Sequence, residues 1–184
     1  MTAPAKVSKV VYGRVCPSCG ARVWVSRVQH EVLRLMALGA SNPQIGRHLR
    51  DTGLDKAVGD DKERGAYIVR CLLARLGASG RAHAVDTACR LALVDVPGNA
   101  CPPEQEILPR HQECAVLLAS GLSYKQAARR LGLSPLTVKS HLHGLYKRLG
   151  ASGGAHAVHL LHALKELPAD HPCPCRRHIP RGPA

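Results

Sequence analysis

The stretch Ser134 to Leu149, SPLTVKSHLHGLYKRL, holds side chains able to grip a nucleic acid at helical spacing. If Val138, Leu142 and Leu145 face a core, then Lys139, Ser140, His143 and Lys147 face away from it, since positions one, four and eight apart share a side of a helix. A lysine there donates to a guanine edge or a phosphate, a serine allows close approach, and a histidine donates or accepts in a groove. Ser134, Thr137 and the helix N-terminus suit phosphate contacts, as do Lys125, Arg129, Arg130 and Arg148. No acidic residue occurs between Gly121 and Gly150. A solvated basic face is the plain alternative for these side chains, so the elements that carry them must decide.

Those elements read as four helices. Pro109 opens a first helix that Gly121 stops; Ser123 caps a second, through Leu131; and Ser134 with Pro135 starts a third. Along the third, Val138, Leu142, Leu145 and Leu149 form one apolar stripe, and a Gly-containing turn leads to a final helix over Ala155 to Leu167. A short helix, a turn near LGLS and a second helix with a polar face is the plan of a helix-turn-helix whose second helix enters the major groove.

The chain makes this statement twice. RLGASGRAHAV, Arg75 to Val85, returns as RLGASGGAHAV, Arg148 to Val158, with the single change of Arg81 to Gly154. Upstream, Val28 to Leu49 lies over Arg110 to Leu131, with Gly39 on Gly121 and Ser41 on Ser123. The offset is 82 residues in this block and 73 in the other, so the first copy carries nine extra residues within Arg50 to Arg64. The expected fold is all-α: two tandem four-helix helix-turn-helix domains, 25–94 and 105–167, joined by a Pro/Gly linker, 95–104. A small Cys-x-x-Cys β-hairpin precedes them at 1–24, and a Pro/Cys-rich tail follows at 168–184.

The second copy closely resembles the LuxR-type (LuxR, FixJ and NarL) helix-turn-helix domain from Ile107 to about Leu164, roughly a third of the chain. Pro109, Arg110, Glu113, Gly121-Leu122-Ser123, Ala128, Leu131, Ser134, Thr137-Val138-Lys139, His141-Leu142, Tyr146, Leu149-Gly150, Ala155 and Ala157-Val158 carry the likeness. The resemblance implies a four-helix domain in which the third helix reads bases and the fourth commonly forms a dimer interface. Departures are Leu108 for the usual capping Thr or Ser, an undersized core at Cys114-Ala115 and Ala127, and Gly153-Gly154 before the last helix.

In the first copy the reading helix has changed. Arg64, Gly65, Ala66, Tyr67 and Ile68 stand where the second has Thr137 to His141, and the insertion supplies Asp51, Asp55, Asp60, Asp61 and Glu63. Carboxylates beside a DNA surface repel phosphate. The first copy therefore reads as a degenerate domain kept for packing or protein contact; the rival reading gives Tyr67, Arg70 and Arg75 a half-site of their own.

Near the start, Cys16 and Cys19 form the knuckle that zinc ribbons use, and the tail offers His171, Cys173, Cys175 and His178. A composite structural zinc site from Cys16, Cys19, Cys173 and Cys175 is one expectation; a loose reduced thiol pair is the other.

Twenty-six Lys and Arg against thirteen Asp and Glu give a formal charge of +13, a balance that attracts polyanions. With no Phe and one Trp, cores must be built from Ala, Leu and Val. No long apolar run and no signal-peptide pattern is present, from which a cytoplasmic protein without membrane contact is expected. No phosphate loop and no convergent acid, base and nucleophile set argue for an enzyme. The leading expectation is a transcription regulator that binds double-stranded DNA with the helix Ser134–Leu149. The alternative is an adaptor or antagonist that pairs with a LuxR-type regulator; the last helices are the expected surface for a homodimer or a partner regulator.

Overall fold

A computed structural model describes residues 11–16, 20, 22–55, 59–98, 103 and 106–168. Strands β1 (Val11–Val15) and β2 (Arg22–Ser26) pair antiparallel, Tyr12 opposite Val25 and Arg14 opposite Val23. Val23 and Val25 point from β2 into the helical core while Trp24, between them, is partly exposed, the alternation of a half-buried strand. The strand runs past residue 24, and its last residue, Ser26, accepts from the Gln29 amide and so caps the first helix; the hairpin is part of the first copy's core rather than a leader to it.

Eight helices follow among the described residues: α1 (Arg27–Ala37), α2 (Asn42–Asp51), α3 (Asp61–Leu76), α4 (Arg81–Arg90), α5 (Pro109–Ala119), α6 (Tyr124–Leu131), α7 (Pro135–Leu149) and α8 (Gly154–Ala163). The two alignment offsets carry each of the first four onto its counterpart in the second four. The correspondence reaches the caps. Gly77 after α3 and Gly150 after α7 share the left-handed conformation φ 61°, ψ 24°. The last helices end on non-glycine residues in that same region, Ala92 at φ 50° and Lys165 at φ 59°, with the Leu93 amide donating to the Ala88 carbonyl and Glu166 to Leu161. Because Lys165 turns the chain, α8 stops at Ala163 and does not run to Leu167 as the apolar spacing suggests.

Two clusters of buried side chains hold the molecule. The first gathers Leu33, Met36, Ile45, Leu49, Leu72 and Leu76 with β2; the second is built on Cys114, Ala115, Ala127, Ala128, Val138, Leu142, Leu145 and Leu161. The undersized positions of the second copy are thus buried as small side chains. Ala119, Ala155 and Val158 of the second copy belong to the first cluster, so the copies share packing.

The shared packing centres on α4 and α8. Ala84, Val85 and Ala88 on one, and Ala157, Val158 and Leu161 on the other, are fully buried. Buried Asp86 on α4 meets His162 Nε2 of α8 at 2.9 Å, and buried His159 Nε2 lies 3.1 Å from the Asp95 carbonyl. The last-helix surfaces expected to serve a homodimer or a partner regulator are spent on each other within one chain.

The echoed segment supplies the rest of this junction. Ser152 Oγ donates to the Gly39 carbonyl at 3.1 Å, and its counterpart Ser79 Oγ donates to the Gly121 carbonyl at 2.5 Å. In each case the serine amide also donates to the histidine four residues on, Ser152 to His156 and Ser79 to His83, both at 3.2 Å. Gly39 (φ 83°) and Gly121 (φ 87°) end α1 and α5 in a conformation that favours glycine, and a Cβ on either would overlap the serine hydroxyl of the other copy. Copy one docks on copy two by the same contact that copy two makes on copy one, the self-complementary pattern of an isologous interface.

The one difference in the echo also has a physical reason. Arg81 donates to Asn42 Oδ1 at 2.7 Å and to the Ala40 carbonyl, tying α4 to the start of α2. Gly154, in its place, has no side chain, and the Tyr146 hydroxyl and Leu118 fill the space, each 3.0 Å from where a Cβ would sit.

Candidate nucleic-acid interface

The second copy's α6 and α7 are set by short polar caps. Ser123 accepts from the Gln126 amide while the Gln126 side chain accepts from the Ser123 amide at 2.8 Å, a closed capping box. Ser134 Oγ accepts from the Thr137 amide at 3.0 Å and lies 2.8 Å from the Thr137 hydroxyl, with Pro135 in the first turn. These two hydroxyls are therefore engaged with each other at the helix start, where an incoming phosphate would meet them.

From that start α7 turns Val138, Leu142 and Leu145 into the core and leaves Lys139, Ser140, His143 and Lys147 exposed, the division read from the sequence. Lys125, Arg129 and Arg130 are exposed on α6, and among the described residues none of the five cations on α6 and α7's outer face enters an ion pair. Arg148 is the exception to the expectation: its guanidinium donates to the Glu106 carbonyl at 2.9 Å and anchors the segment leading into α5. His141 is half-buried and its ring lies 5.7 Å from that of buried His111. Burial first, then Arg148 and His141, holds the His111 imidazole below its ordinary range.

One outward residue was missed. Leu136, 73% exposed, lies three residues before Lys139 and four before Ser140, on the same face at the leading end of α7. An exposed leucine among donors is the kind of apolar group that meets a thymine methyl. The helical spacing that selected Lys139 and His143 would have selected it too.

The first copy presents something different at the same place. Gly46 of α2 and Gly65 of α3 face each other so closely that a Cβ on Gly46 would overlap the Asp61 carbonyl and one on Gly65 the Asn42 carbonyl. Their counterparts are Ala128 and Val138, which hold α6 and α7 a side chain apart. The insertion's carboxylates close over the cations: Asp61 binds Arg50 at 2.5 Å and approaches Arg47 at 3.9 Å, and Asp55 pairs with Arg64. Arg47 is the counterpart of Arg129. Asp60 accepts from the Lys62 and Glu63 amides and caps α3. Tyr67, 48% exposed, lies between the guanidiniums of Arg64 and Arg70, at 5.4 and 5.7 Å from its ring centre. Arg75 donates to the Trp24 carbonyl at 3.3 Å and so belongs to the hairpin contact.

The thiols at the chain's ends are not brought together by anything described. Cys16 is buried in the first core; Cys19, Cys173 and Cys175 lie outside the described residues, and among the described residues no group of three metal-binding side chains gathers. No helix among those residues is long and apolar enough to cross a membrane.

Comparison with known proteins follows the same boundary. Residues 108–161 match the family model described as bacterial regulatory proteins, luxR family. The chain is 26% identical over 147 residues to the transcriptional activator protein CarR of Pectobacterium carotovorum subsp. carotovorum, covering 74% of this chain and 55% of the relative. It is 40% identical over 70 residues to the probable transcriptional regulatory protein SgaR of Hyphomicrobium methylovorum, covering 38% of this chain and 33% of the relative. The chain thus spans about half, or a third, of the length of these curated relatives. No solved structure is a significant match. Residues 108–161, which hold α5 to α7 and most of α8, form a helix-turn-helix domain of the luxR family of bacterial regulatory proteins.

Proposed function

We propose that this protein is a sequence-specific transcription regulator that places α7 in the major groove of duplex DNA. The observation that carries the reading is the outer face of α7, where Lys139, Ser140, His143 and Lys147 are all exposed over an inner face that is fully packed. Lys139, Ser140 and His143 read base edges; Ser134, Thr137, Lys147, Lys125, Arg129 and Arg130 meet phosphate. The chain is a tandem pair of LuxR-type domains, 25–94 and 105–167, joined by 95–104, the first degenerate at its reading helix. The matched element bounds, the twin left-handed helix ends and the reciprocal serine contacts support that duplication. An adaptor that pairs with another regulator through its last helices is disfavoured by the burial of α4 against α8.

Selection from a random duplex library with the full chain tests the reading. An enriched motif that the Lys139→Ala variant loses is the expected result; no enrichment at moderate salt would sink the proposal.

A further inference from the structure

We infer that one chain occupies one DNA site as a pre-assembled, asymmetric pair, so that the site carries a single specified half and no inverted repeat. The inference rests on the reading of α7 as the base-reading helix and adds what the rest of the chain does to the site.

Two observations lead there. First, the surface by which two such domains would associate is closed within the chain. The α4 and α8 faces bury each other, Asp86 is engaged by His162, and Ser79 and Ser152 reach across to the Gly121 and Gly39 carbonyls. A second chain finds neither the apolar face nor the glycine carbonyls open. The mutual contact also gives α3 and α7 equivalent places in the two halves, as two subunits of a symmetric dimer would place their reading helices.

Second, the two equivalent places are chemically unequal. Face for face, Leu136, Lys139, Ser140, His143 and Lys147 of α7 correspond to Glu63, Ala66, Tyr67, Arg70 and Ala74 of α3. A carboxylate stands where α7 leads with an apolar group, and the base-reading lysine is gone. Three of the cations nearby are occupied: Arg47 and Arg50 by Asp61, Arg64 by Asp55. Tyr67 and Arg70 remain at the surface, and the Arg70 guanidinium, the one fork able to read a base edge among these five positions, is turned onto its own neighbour, 5.7 Å from the Tyr67 ring centre. Symmetric dimers need symmetric sites because each half reads the same bases. Here the second half reads none.

The test combines the selected motif with the stoichiometry. Duplexes carrying the enriched motif are titrated with the full chain and the complexes weighed by native mass spectrometry or sedimentation. The expected result is one chain per duplex and one non-repeated block of specified bases. Lys139→Ala should weaken binding at least tenfold, while a Tyr67→Ala, Arg70→Ala double variant should leave every position of the motif unchanged and weaken binding no more than about threefold. A palindromic motif held by two chains would overturn the inference and leave the regulator reading standing, as would loss of base preference at some positions in the double variant. Absence of any motif would overturn both.

Discussion

The α2–α3 and α6–α7 pairs share one plan and fill it differently. Both begin at a serine-capped helix after a left-handed glycine, both carry an inward stripe on the longer helix, and both end on an identical glycine cap. They part at two points. Ala128 and Val138 put buried side chains between the second pair; Gly46 and Gly65 let the first pair close to backbone contact. The insertion then turns acidic groups onto Arg50, Arg64 and Arg47, the last of which corresponds to exposed Arg129 in the second copy. The outer face of such a helix can thus differ without disturbing the packing, because the stripe that packs it and the face turned outward are different residues.

Substitutions can break this comparison, and the largest effect belongs to the glycine contact. Gly65→Val forces a side chain into the Asn42 carbonyl and should cost about 3 kcal/mol of unfolding free energy. A loss below about 1 kcal/mol in guanidinium titration would show that the helices part easily. Next is Lys139→Ala, expected to lose about 1.4–3 kcal/mol of specific DNA affinity with little change in stability. Ala66→Lys, the reverse change in the first copy, should create no new base preference. Equal effects of the two on the motif would erase the distinction between the helices.

Smaller effects sharpen the comparison. Asp61→Asn removes the group that occupies Arg50 and Arg47; it should cost about 1 kcal/mol of stability and tighten binding to arbitrary duplex, steepening the salt dependence by about one ion or more. Unaltered salt dependence would mean those arginines are remote from phosphate. Ser134→Ala and Asp60→Ala should each cost about 1 kcal/mol, since each caps its long helix by accepting from the amide three residues on. A marked inequality would mean one of the caps is made redundant by tertiary packing.

The mildest effect is one of pH at the junction. Burial pushes the His83 and His156 imidazoles below the ordinary value, for His83 against the pull of Asp86 and for His156 with help from His159. Above the ordinary value of about 6.5 both are neutral, folded or unfolded, and the stability is fully present. As pH falls below it the unfolded chain takes up protons that the folded chain refuses, and stability declines. Unfolding free energy should therefore drop between pH 7 and pH 5, and a His83→Gln, His156→Gln double variant should flatten that slope.

Much of this was legible beforehand. Helix starts at Pro109, Ser123 and Ser134 and the inward set Val138, Leu142 and Leu145 follow from capping chemistry and spacing, which are local. The exposure of Lys139 and His143 follows from the same stripe. What spacing could not supply is long-range. Ser79 and Ser152 give no signal of their contact because their acceptors lie in the other copy, 42 and 113 positions away. Gly46 and Gly65 give no signal of their own because the partner that makes them necessary belongs to another helix. Arg148 read as a phosphate ligand because its charge is visible in the sequence and its carbonyl partner is not. Leu136 was passed over for its chemistry, although its position qualified it.

The reciprocal serine contacts carry a last consequence, in the arithmetic of occupancy. Two separate chains that must meet before reading a site respond to the square of their concentration and stay silent below a threshold. Tethering sets the concentration of one half around the other by the linker, on the order of millimolar for a short flexible connection, whatever the number of molecules in the cell. A protein joined in this way fills its site in simple proportion to its abundance, and the first few copies made already count.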